Sequence, residues 1–412
     1  MENKQIEALT KRRWVYLFIC CLINLCIGSM YAWSVLADPM ARELGVSSLS
    51  TPFSVANSVG FISMIIGGLV ADRKGPRWVM FLGGLMFGLG MFGCGYAQNV
   101  VHLILCYGII LGLGLSFVYG CTISTCIKFF PDKRGLAGGL ATAFYGISSA
   151  IFAPIGNALN DAVGVRMSFK LLGIVFLIIV CIGSLFISAC PNGFLPQGYV
   201  PPVNHRTAGQ SDKTTLEMLR MPIFYVMLVM LTCGGVSGMM VISNASGIAR
   251  NVTGMDAGTA ALLVLILCLF NTAGRLIAGS LSDKLGRINT LTIAIAVGLA
   301  GLALLYMADV TAAVSALVLG LVLTGICFGT FMGVFPGFCT DQFGSKYNTV
   351  NYGIMWIGFC LAGIVGPTIL TTVYASAGTY RTAFLIAAFI SLFGMLMTVV
   401  YRFCSRHLSR QS

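Results

Sequence analysis

The 412-residue sequence predicts an all-α membrane protein with twelve transmembrane helices in two six-helix halves. The composition is the first observation: 57% of the residues are hydrophobic, only 9% are charged, and the mean hydropathy is +0.91. A soluble domain of this length needs more charge to cover its surface. The second observation is a series of long apolar runs, and the third is a polar turn that occurs once in each half.

Twelve apolar runs follow one another along the chain. Each one is long enough to cross the bilayer core, which takes about 20 helical residues. The first run is too long, and too polar at its outer end, for a signal peptide, and no small-residue cleavage site follows it. The runs lie at 14–36, 51–71, 78–97, 101–129, 135–158, 167–189, 222–246, 257–281, 288–308, 311–337, 348–373 and 381–402.

Lysine and arginine are distributed unevenly between the connecting loops. With the N-terminus in the cytoplasm, nineteen of the 25 basic residues fall on the cytoplasmic side, five fall outside, and Arg275 falls within the membrane. This asymmetry predicts a multi-pass protein of the cell inner membrane with both termini in the cytoplasm. It also accounts for the formal net charge of +12 without a nucleic-acid partner.

A proline-rich polar stretch divides the chain near its middle. Residues 190–218 contain four prolines and no apolar periodicity, which is typical of a linker. The following TTLEMLRMPIFY predicts a short interfacial helix that leads into Pro222, at the first turn of the seventh span. We therefore expect an N-terminal half at 1–189, a central cytoplasmic linker with the short helix at 190–221, and a C-terminal half at 222–412.

The same polar turn follows the second span of each half, as GLVADRKGPR (68–77) and GSLSDKLGR (279–287). Asp72 and Asp283 occupy equivalent places in the two copies. The turns FFPDKRGLAGG and FGSKYNTVNYG also correspond, as do Tyr145 and Trp356. Duplication of six spans is typical of transporters whose halves rock about a central site. The residues predicted to form and break contacts as the inner mouth closes and opens are Gly68, Asp72, Arg73, Gly75, Arg77, Gly279, Asp283, Lys284, Gly286 and Arg287.

The paired G-x-x-x-D-[RK]-x-G turns resemble the signature loop of the major facilitator superfamily. Within it, KFFPDKRGLAGG, LEMLRMPIFY, FNTAGR and NYGIMW are similar to the oxalate–formate antiporter family, whose relatives include the monocarboxylate transporters. The resemblance extends over essentially the whole chain. It implies the major facilitator fold, and it identifies the chain as a homologue of bacterial monocarboxylate transporters.

Arg275 is the one charged residue placed deep in an apolar run. Eight helical residues separate it from Asp283, which places it about 12 Å from that end of the helix. An arginine at such depth costs about 2.5–3.5 kcal/mol or more, so it should face the protein interior. No span contains an acidic residue at mid-depth. We interpret Arg275 as a carboxylate ligand, with Asn271 one turn earlier on the same face. The alternatives are a structural ion pair and snorkelling to the surface.

The resemblance implies the same role for Arg275, and it places Tyr31, Tyr119, Tyr145, Phe328, Met332 and Trp356 at cavity positions. Trp33 and Phe331 are further candidates from their mid-span locations, and helix packing is the alternative for each of these residues. The antiporter that exchanges oxalate has a lysine where this chain has Phe359. One fixed cation beside an apolar wall suits a monocarboxylate better than oxalate.

The sequence therefore predicts a secondary active transporter of small monocarboxylates such as lactate, pyruvate or formate. We expect alternating access coupled to protons, although no acidic residue or histidine at mid-span identifies a proton carrier. The alternatives are an oxalate:formate-type exchanger and a nontransporting carboxylate sensor. Without a nucleophile–base pair, Walker motif or metal-ligand spacing, we predict no enzyme activity, cofactor or metal. We expect a monomer in the lipid bilayer.

Overall fold

The computed structural model describes residues 3–46, 49–191, 193–200 and 212–411. These residues form helices and connecting loops without any strand, which confirms the predicted fold class. Within them, twelve helical segments are long and apolar enough to cross a membrane, and we number them as spans 1 to 12. Their bounds are Gln5–Leu44, Thr51–Lys74, Arg77–Cys94, Val100–Phe129, Arg134–Val163, Val165–Phe186, Pro222–Ile242, Gly258–Leu285, Arg287–Thr311, Val314–Phe343, Asn348–Ala377 and Arg381–Ser405.

Three spans change their helical geometry along their length. Span 1 consists of helices Asn3–Ile27 and Trp33–Leu44 around a 3₁₀ segment, Gly28–Ala32. Span 11 consists of Asn348–Met355 and Ile357–Ala377, which meet at Trp356. Span 4 begins with a short helix and a π-helical segment before the helix Gly112–Phe129. Such irregular turns often accompany functional sites, and those in spans 1 and 11 are next to Tyr31 and Trp356.

The remaining spans are continuous helices. Several extend beyond their apolar segments: span 2 is helical over Ser50–Lys74, span 8 over Ala257–Leu285 and span 12 over Arg381–Gln411. A further short helix, Ala245–Thr253, follows span 7.

The predicted short helix before span 7 is present at Thr215–Arg220, and Pro222 occupies the first turn of span 7. Thr214 and Glu217 form a reciprocal capping box at its start. Hydrogen bonds donated by Thr214 to the Glu217 carboxylate lower the pKa of Glu217. Residues 192 and 201–211 of the predicted linker lie outside the described residues.

Because the number of spans is even, both ends of the chain lie on one face, which we call the terminal face. Spans 1–6 form the N half and spans 7–12 the C half. The duplicated turns both lie at the terminal face, where Gly75 (φ 90°) and Gly286 (φ 85°) have left-handed backbone conformations. Residues with a Cβ rarely adopt these angles, which explains why both turns contain glycine at this position.

Contact between the halves runs from the middle of the spans to the terminal face. Span 8 packs on span 5, span 2 on span 11, and span 10 on span 5. The first glycine of each duplicated turn makes this packing close. A Cβ on Gly68 would lie 2.6 Å from the Cα of Val350, and one on Gly279 would lie 2.5 Å from the carbonyl oxygen of Gly135. The backbones therefore touch where the halves meet.

Candidate functional site

Arg275 lies in span 8 at the boundary between the halves, and its side chain is fully buried, with 1% of the residue exposed. Its Nε donates to Oδ1 of Asn271 at 3.1 Å, and its Nη1 donates to the carbonyl oxygen of Thr142 in span 5 at 2.8 Å. Among the described residues, no carboxylate forms an ion pair with Arg275. The guanidinium thus does not reach the surface, and it has no anionic partner within the described ranges.

Glycines on the neighbouring spans make room for this arginine. A Cβ on Gly139 of span 5 would lie 2.5 Å from the Arg275 carbonyl oxygen, and Gly333 of span 10 is equally close to the same backbone. A Cβ on Gly146 would lie 3.2 Å from both Cζ and Nε of the guanidinium. These small residues let spans 5, 8 and 10 approach one another and leave the guanidinium space beside span 5.

Six aromatic side chains form a continuous row from the N half to the C half, in the order Tyr31, Tyr145, Tyr119, Trp356, Phe359 and Phe328. The successive ring centroids are 5.3, 4.9, 5.1, 4.2 and 6.3 Å apart. The charge of Arg275 interacts with the three tyrosines of the row. A cation, three hydroxyl groups and an apolar end therefore share one site at the boundary between the halves.

The structure brings the other predicted binding residues to the same region. Asn271 is buried and orients the guanidinium through Nε. Met332, with 2% exposed, directly precedes Gly333, on which a Cβ would meet the Arg275 carbonyl oxygen. Both residues therefore lie beside Arg275.

Two of the further candidates from the sequence, Trp33 and Phe331, make helix-packing contacts, which favours the alternative stated for them. The indole Nε1 of Trp33 donates to the carbonyl oxygen of Leu49 at 3.1 Å, and the ring lies 3.8 Å from that of Tyr107, within the N half. Phe331 stacks on Phe335 and turns towards Gly234 of span 7. A mid-span position alone does not determine which face of a helix a side chain occupies.

Two contributors to the site were not identified from the sequence. The first is the backbone carbonyl of Thr142, which leaves no sequence signal because every residue has one. The second is Tyr352, which is buried, lies 5.7 Å from the ring of Trp356 and interacts with the charge of Arg275. Its position four residues before Trp356 places both rings on one helix face and could have indicated it.

A buried polar network supports the carbonyl next to Thr142. Nδ2 of Asn24 donates to the carbonyl oxygen of Ala141 at 3.1 Å, and Oγ1 of Thr122 donates to Oδ1 of Asn24 at 2.8 Å. Asn24 and Thr122 are both fully buried. The network joins spans 1, 4 and 5, and so positions the span 5 backbone that accepts from Arg275.

Towards the terminal face, the two aspartates of the duplicated turns contact the opposite half in the same way. Oδ2 of Asp72 accepts from the amide of Val350 at 3.0 Å and Oδ1 from Oγ1 of Thr349 at 2.7 Å, in the first turn of span 11. Asp283 accepts from the amides of Gly135 and Leu136 at 2.9 and 3.1 Å, in the first turn of span 5. Each carboxylate thus caps the fifth helix of the other half.

A chain of ion pairs reinforces the second of these contacts. Asp283 pairs with Arg287 at 2.7 Å, Arg287 with Asp341 at 2.8 Å, and Asp341 with Arg134 of the N half at 2.7 Å. The last pair joins the two halves.

The other charged residues of the duplicated turns differ in their contacts. Arg77 donates to the carbonyl oxygen of Ile187 at 2.9 Å, within the N half. Within the described part of the chain, Arg73 and Lys284 form no ion pair. They are exposed at the terminal face.

The fold and the duplicated turns define a twelve-helix membrane transporter built from two related halves. The family model described as Major Facilitator Superfamily matches residues 17–367, and the chain belongs to this superfamily. The solved structure of FucP, the fucose:proton symporter of E. coli, has the same fold. Its crystal structure in the outward conformation superposes with a TM-score of 0.70 at 16% identity, covering 94% of this chain and 98% of that one.

Two of the curated relatives match most of the chain, and a third matches less than half of it. The oxalate:formate antiporter of Oxalobacter formigenes is 31% identical over 396 residues, 95% of this chain and 91% of its own length. The uncharacterized transporter YhjX of Escherichia coli is 29% identical over 358 residues, 86% of each chain. Monocarboxylate transporter 1 of Mus musculus is 31% identical over 195 residues, 46% of this chain and 40% of its own.

Proposed function

We propose that the protein is an alternating-access carrier of small monocarboxylates of the lactate, pyruvate or formate type, with Arg275 as the ligand of the substrate carboxylate. The observation that supports this most directly is the buried guanidinium at the boundary between the halves, with no carboxylate partner among the described residues. Burying a charge without a counter-ion is costly unless an anion binds there. A guanidinium fork matches a carboxylate with two parallel hydrogen bonds.

The proposed preference for monocarboxylates follows from the composition of the aromatic row. By sequence, Arg275 is the one cationic residue placed deep within an apolar run, and Phe359 stacks on Trp356 with ring centroids 4.2 Å apart. A second carboxylate would therefore face an apolar surface and remain unpaired, at a considerable cost in desolvation. The relatives named as an oxalate:formate antiporter and a monocarboxylate transporter support a small carboxylate as the cargo.

For the transport cycle, we propose that residues 1–189 and 222–412 move as two bodies about Arg275, connected by the linker at 190–221. In this proposal the terminal face is cytoplasmic, in the inner membrane, and the protein acts as a monomer. The contacts of Asp72 with span 11 and of Asp283 with span 5 would hold the cytoplasmic side closed. Their loss would allow the substrate to leave on that side.

For coupling, proton-coupled uptake is our first proposal, with the proton entering together with the carboxylate. Anion exchange is the second candidate. It is favoured by the nearly full-length similarity to a protein named as an antiporter, and by the lack of any mid-span acidic residue that could carry a proton.

Uptake of labelled L-lactate into proteoliposomes tests the proposal, with an inward proton gradient, without it, and with vesicles preloaded with unlabelled formate. Stimulation by the gradient alone would establish proton symport. Uptake only into preloaded vesicles would establish exchange. Binding of L-lactate without uptake under any of these conditions would contradict a carrier function and favour a nontransporting sensor.

A further inference from the structure

A second polar region lies at the terminal face, away from Arg275. A cavity of about 490 Å³ opens there between the ends of spans 2 and 4, the turn that joins spans 10 and 11, and residues that follow span 6. Its walls come from both halves, because Ser345, Lys346 and Thr349 belong to the C half, while the other lining residues belong to the N half or to the start of the linker.

The lining of this cavity has a strong excess of positive charge. One carboxylate, that of Asp72, lines it. Five cationic side chains line it: Arg73, Lys74, Lys128, Arg134 and Lys346.

The single carboxylate does not neutralise this cluster. Asp72 pairs with Lys128 at 2.7 Å, and its oxygens also accept from the first turn of span 11. Arg73, Lys74 and Lys346 form no ion pair with any of the residues that the structure describes. Several unpaired cations therefore surround one cavity.

Further polar groups belong to residues that line the same cavity. The Nε of Arg134 is buried and has no hydrogen-bond partner among the described residues, although its Nη1 pairs with Asp341. Ser124 and Thr125, both nearly fully buried, also line the cavity, and the Oγ of Ser124 accepts from Oγ1 of Thr349 at 2.8 Å. Cations, an unsatisfied N–H group and hydroxyl groups are together the ligands of a multiply charged oxyanion.

We propose that this cavity is a second anion site, which binds a phosphate-type group and thereby holds the terminal face closed. An excess of basic residues on one face of a membrane protein is expected from its orientation alone. Orientation, however, does not require that the cations converge on one cavity that is formed by both halves. A bound anion that bridges Lys74 and Lys346 would oppose separation of the halves, and this consequence rests on the proposed transport cycle.

Calorimetric titration of the purified full-length protein with pyrophosphate tests the site. The double variant Lys74→Ala/Lys346→Ala should bind pyrophosphate about tenfold more weakly than the wild type, because it loses two charged hydrogen-bond donors. The matched control, Lys11→Ala/Lys133→Ala, removes two exposed lysines from the same face outside the cavity and should bind as the wild type does. Equal weakening in both variants, or no binding by the wild type, would overturn the proposal.

The Arg275→Gln variant separates this site from the central one. This variant should retain pyrophosphate binding whether or not the proposed carboxylate transport is correct. Loss of binding would assign the pyrophosphate to the central site and would contradict a second anion site. Hydrogen–deuterium exchange tests closure: pyrophosphate should slow exchange of the amides of Thr349 and Val350 in the wild type but not in the Lys74/Lys346 variant. Unchanged exchange in the wild type would overturn the effect on the terminal face.

The phosphate group could come from a soluble anion or from a lipid headgroup. Repeating the titration in nanodiscs of phosphatidylcholine and of phosphatidylglycerol distinguishes these sources. Weaker pyrophosphate binding in phosphatidylglycerol would support the proposal with a lipid headgroup as the occupant. Equal binding in the two lipids would support it with a soluble anion.

Discussion

Nη1 of Arg275 donates a hydrogen bond to the carbonyl oxygen of Thr142 at 2.8 Å, and this bond joins span 8 of the C half to span 5 of the N half. A carbonyl oxygen is a neutral acceptor, so a carboxylate forms a stronger bond with the same donor. A substrate anion would therefore compete with Thr142 for the guanidinium. In the proposed cycle, binding of the anion and contact between the halves involve the same N–H group.

Gly146 provides a test of the space around the guanidinium. In Gly146→Ala the new methyl group would lie 3.2 Å from Cζ and Nε of Arg275 and should displace them by a few tenths of an ångström. We expect the KM for L-lactate to rise about threefold to tenfold, because small errors in positioning weaken a bidentate contact. The measurement is the concentration dependence of uptake into proteoliposomes.

Gly138→Ala is the control on the same helix. Its methyl group would meet its nearest neighbours at 3.6 Å, which is ordinary contact. Since alanine favours helix over glycine, neither variant should weaken span 5 itself. Equal KM values for the two variants would show that Gly146 does not position Arg275.

Phe359→Lys should change substrate preference. The side chain of Phe359 lies in the aromatic row between Trp356 and Phe328, so a lysine there would place a second cation in the same site. We expect the ratio of oxalate to formate uptake to rise by about tenfold or more, since one additional charged hydrogen bond contributes about 1.5–3 kcal/mol. Phe359→Leu keeps the site apolar and should leave the ratio unchanged. An unchanged ratio in Phe359→Lys would mean that this position does not contact substrate.

Asp72→Asn should loosen both contacts at the terminal face. The variant loses the charge that caps span 11 and pairs with Lys128. If the halves move as two bodies, amide exchange should become faster at Thr349 and Val350 and also at Gly135 and Leu136, which Asp283 caps. Hydrogen–deuterium exchange with mass spectrometry measures both segments.

Asp309→Asn is the control for this experiment, since it removes a carboxylate that pairs with Arg381 at the face opposite the termini. It should leave exchange at the terminal face unchanged. Faster exchange confined to Thr349 and Val350 in Asp72→Asn would indicate local fraying of span 11 instead of movement of the halves.

The helical architecture was predictable because hydropathy and length alone specify a membrane span. The place of Arg275 was also predictable, since a charge within an apolar run requires a polar environment in the protein. The partner of its Nη1 was not, because the carbonyl of Thr142 is brought there by the packing of Gly139 on the Arg275 backbone. Trp33 is a case in which the sequence position was not sufficient. It lies at mid-span, as the site residues do, but it follows the 3₁₀ segment of span 1 and its ring packs against Tyr107.

The central claim is that Arg275 binds the substrate carboxylate, and equilibrium binding of L-lactate to purified Arg275→Gln tests it most directly. Glutamine keeps an amide donor at about the position of Nε, beside Asn271, but it removes the charge, the fork and the Nη1 bond to Thr142. We expect the Kd for L-lactate to rise at least about tenfold relative to the wild type. Arg166→Gln removes an arginine that pairs with Glu43 away from this site, and it should bind L-lactate as the wild type does. A wild-type Kd in Arg275→Gln, with thermal stability preserved, would contradict the claim.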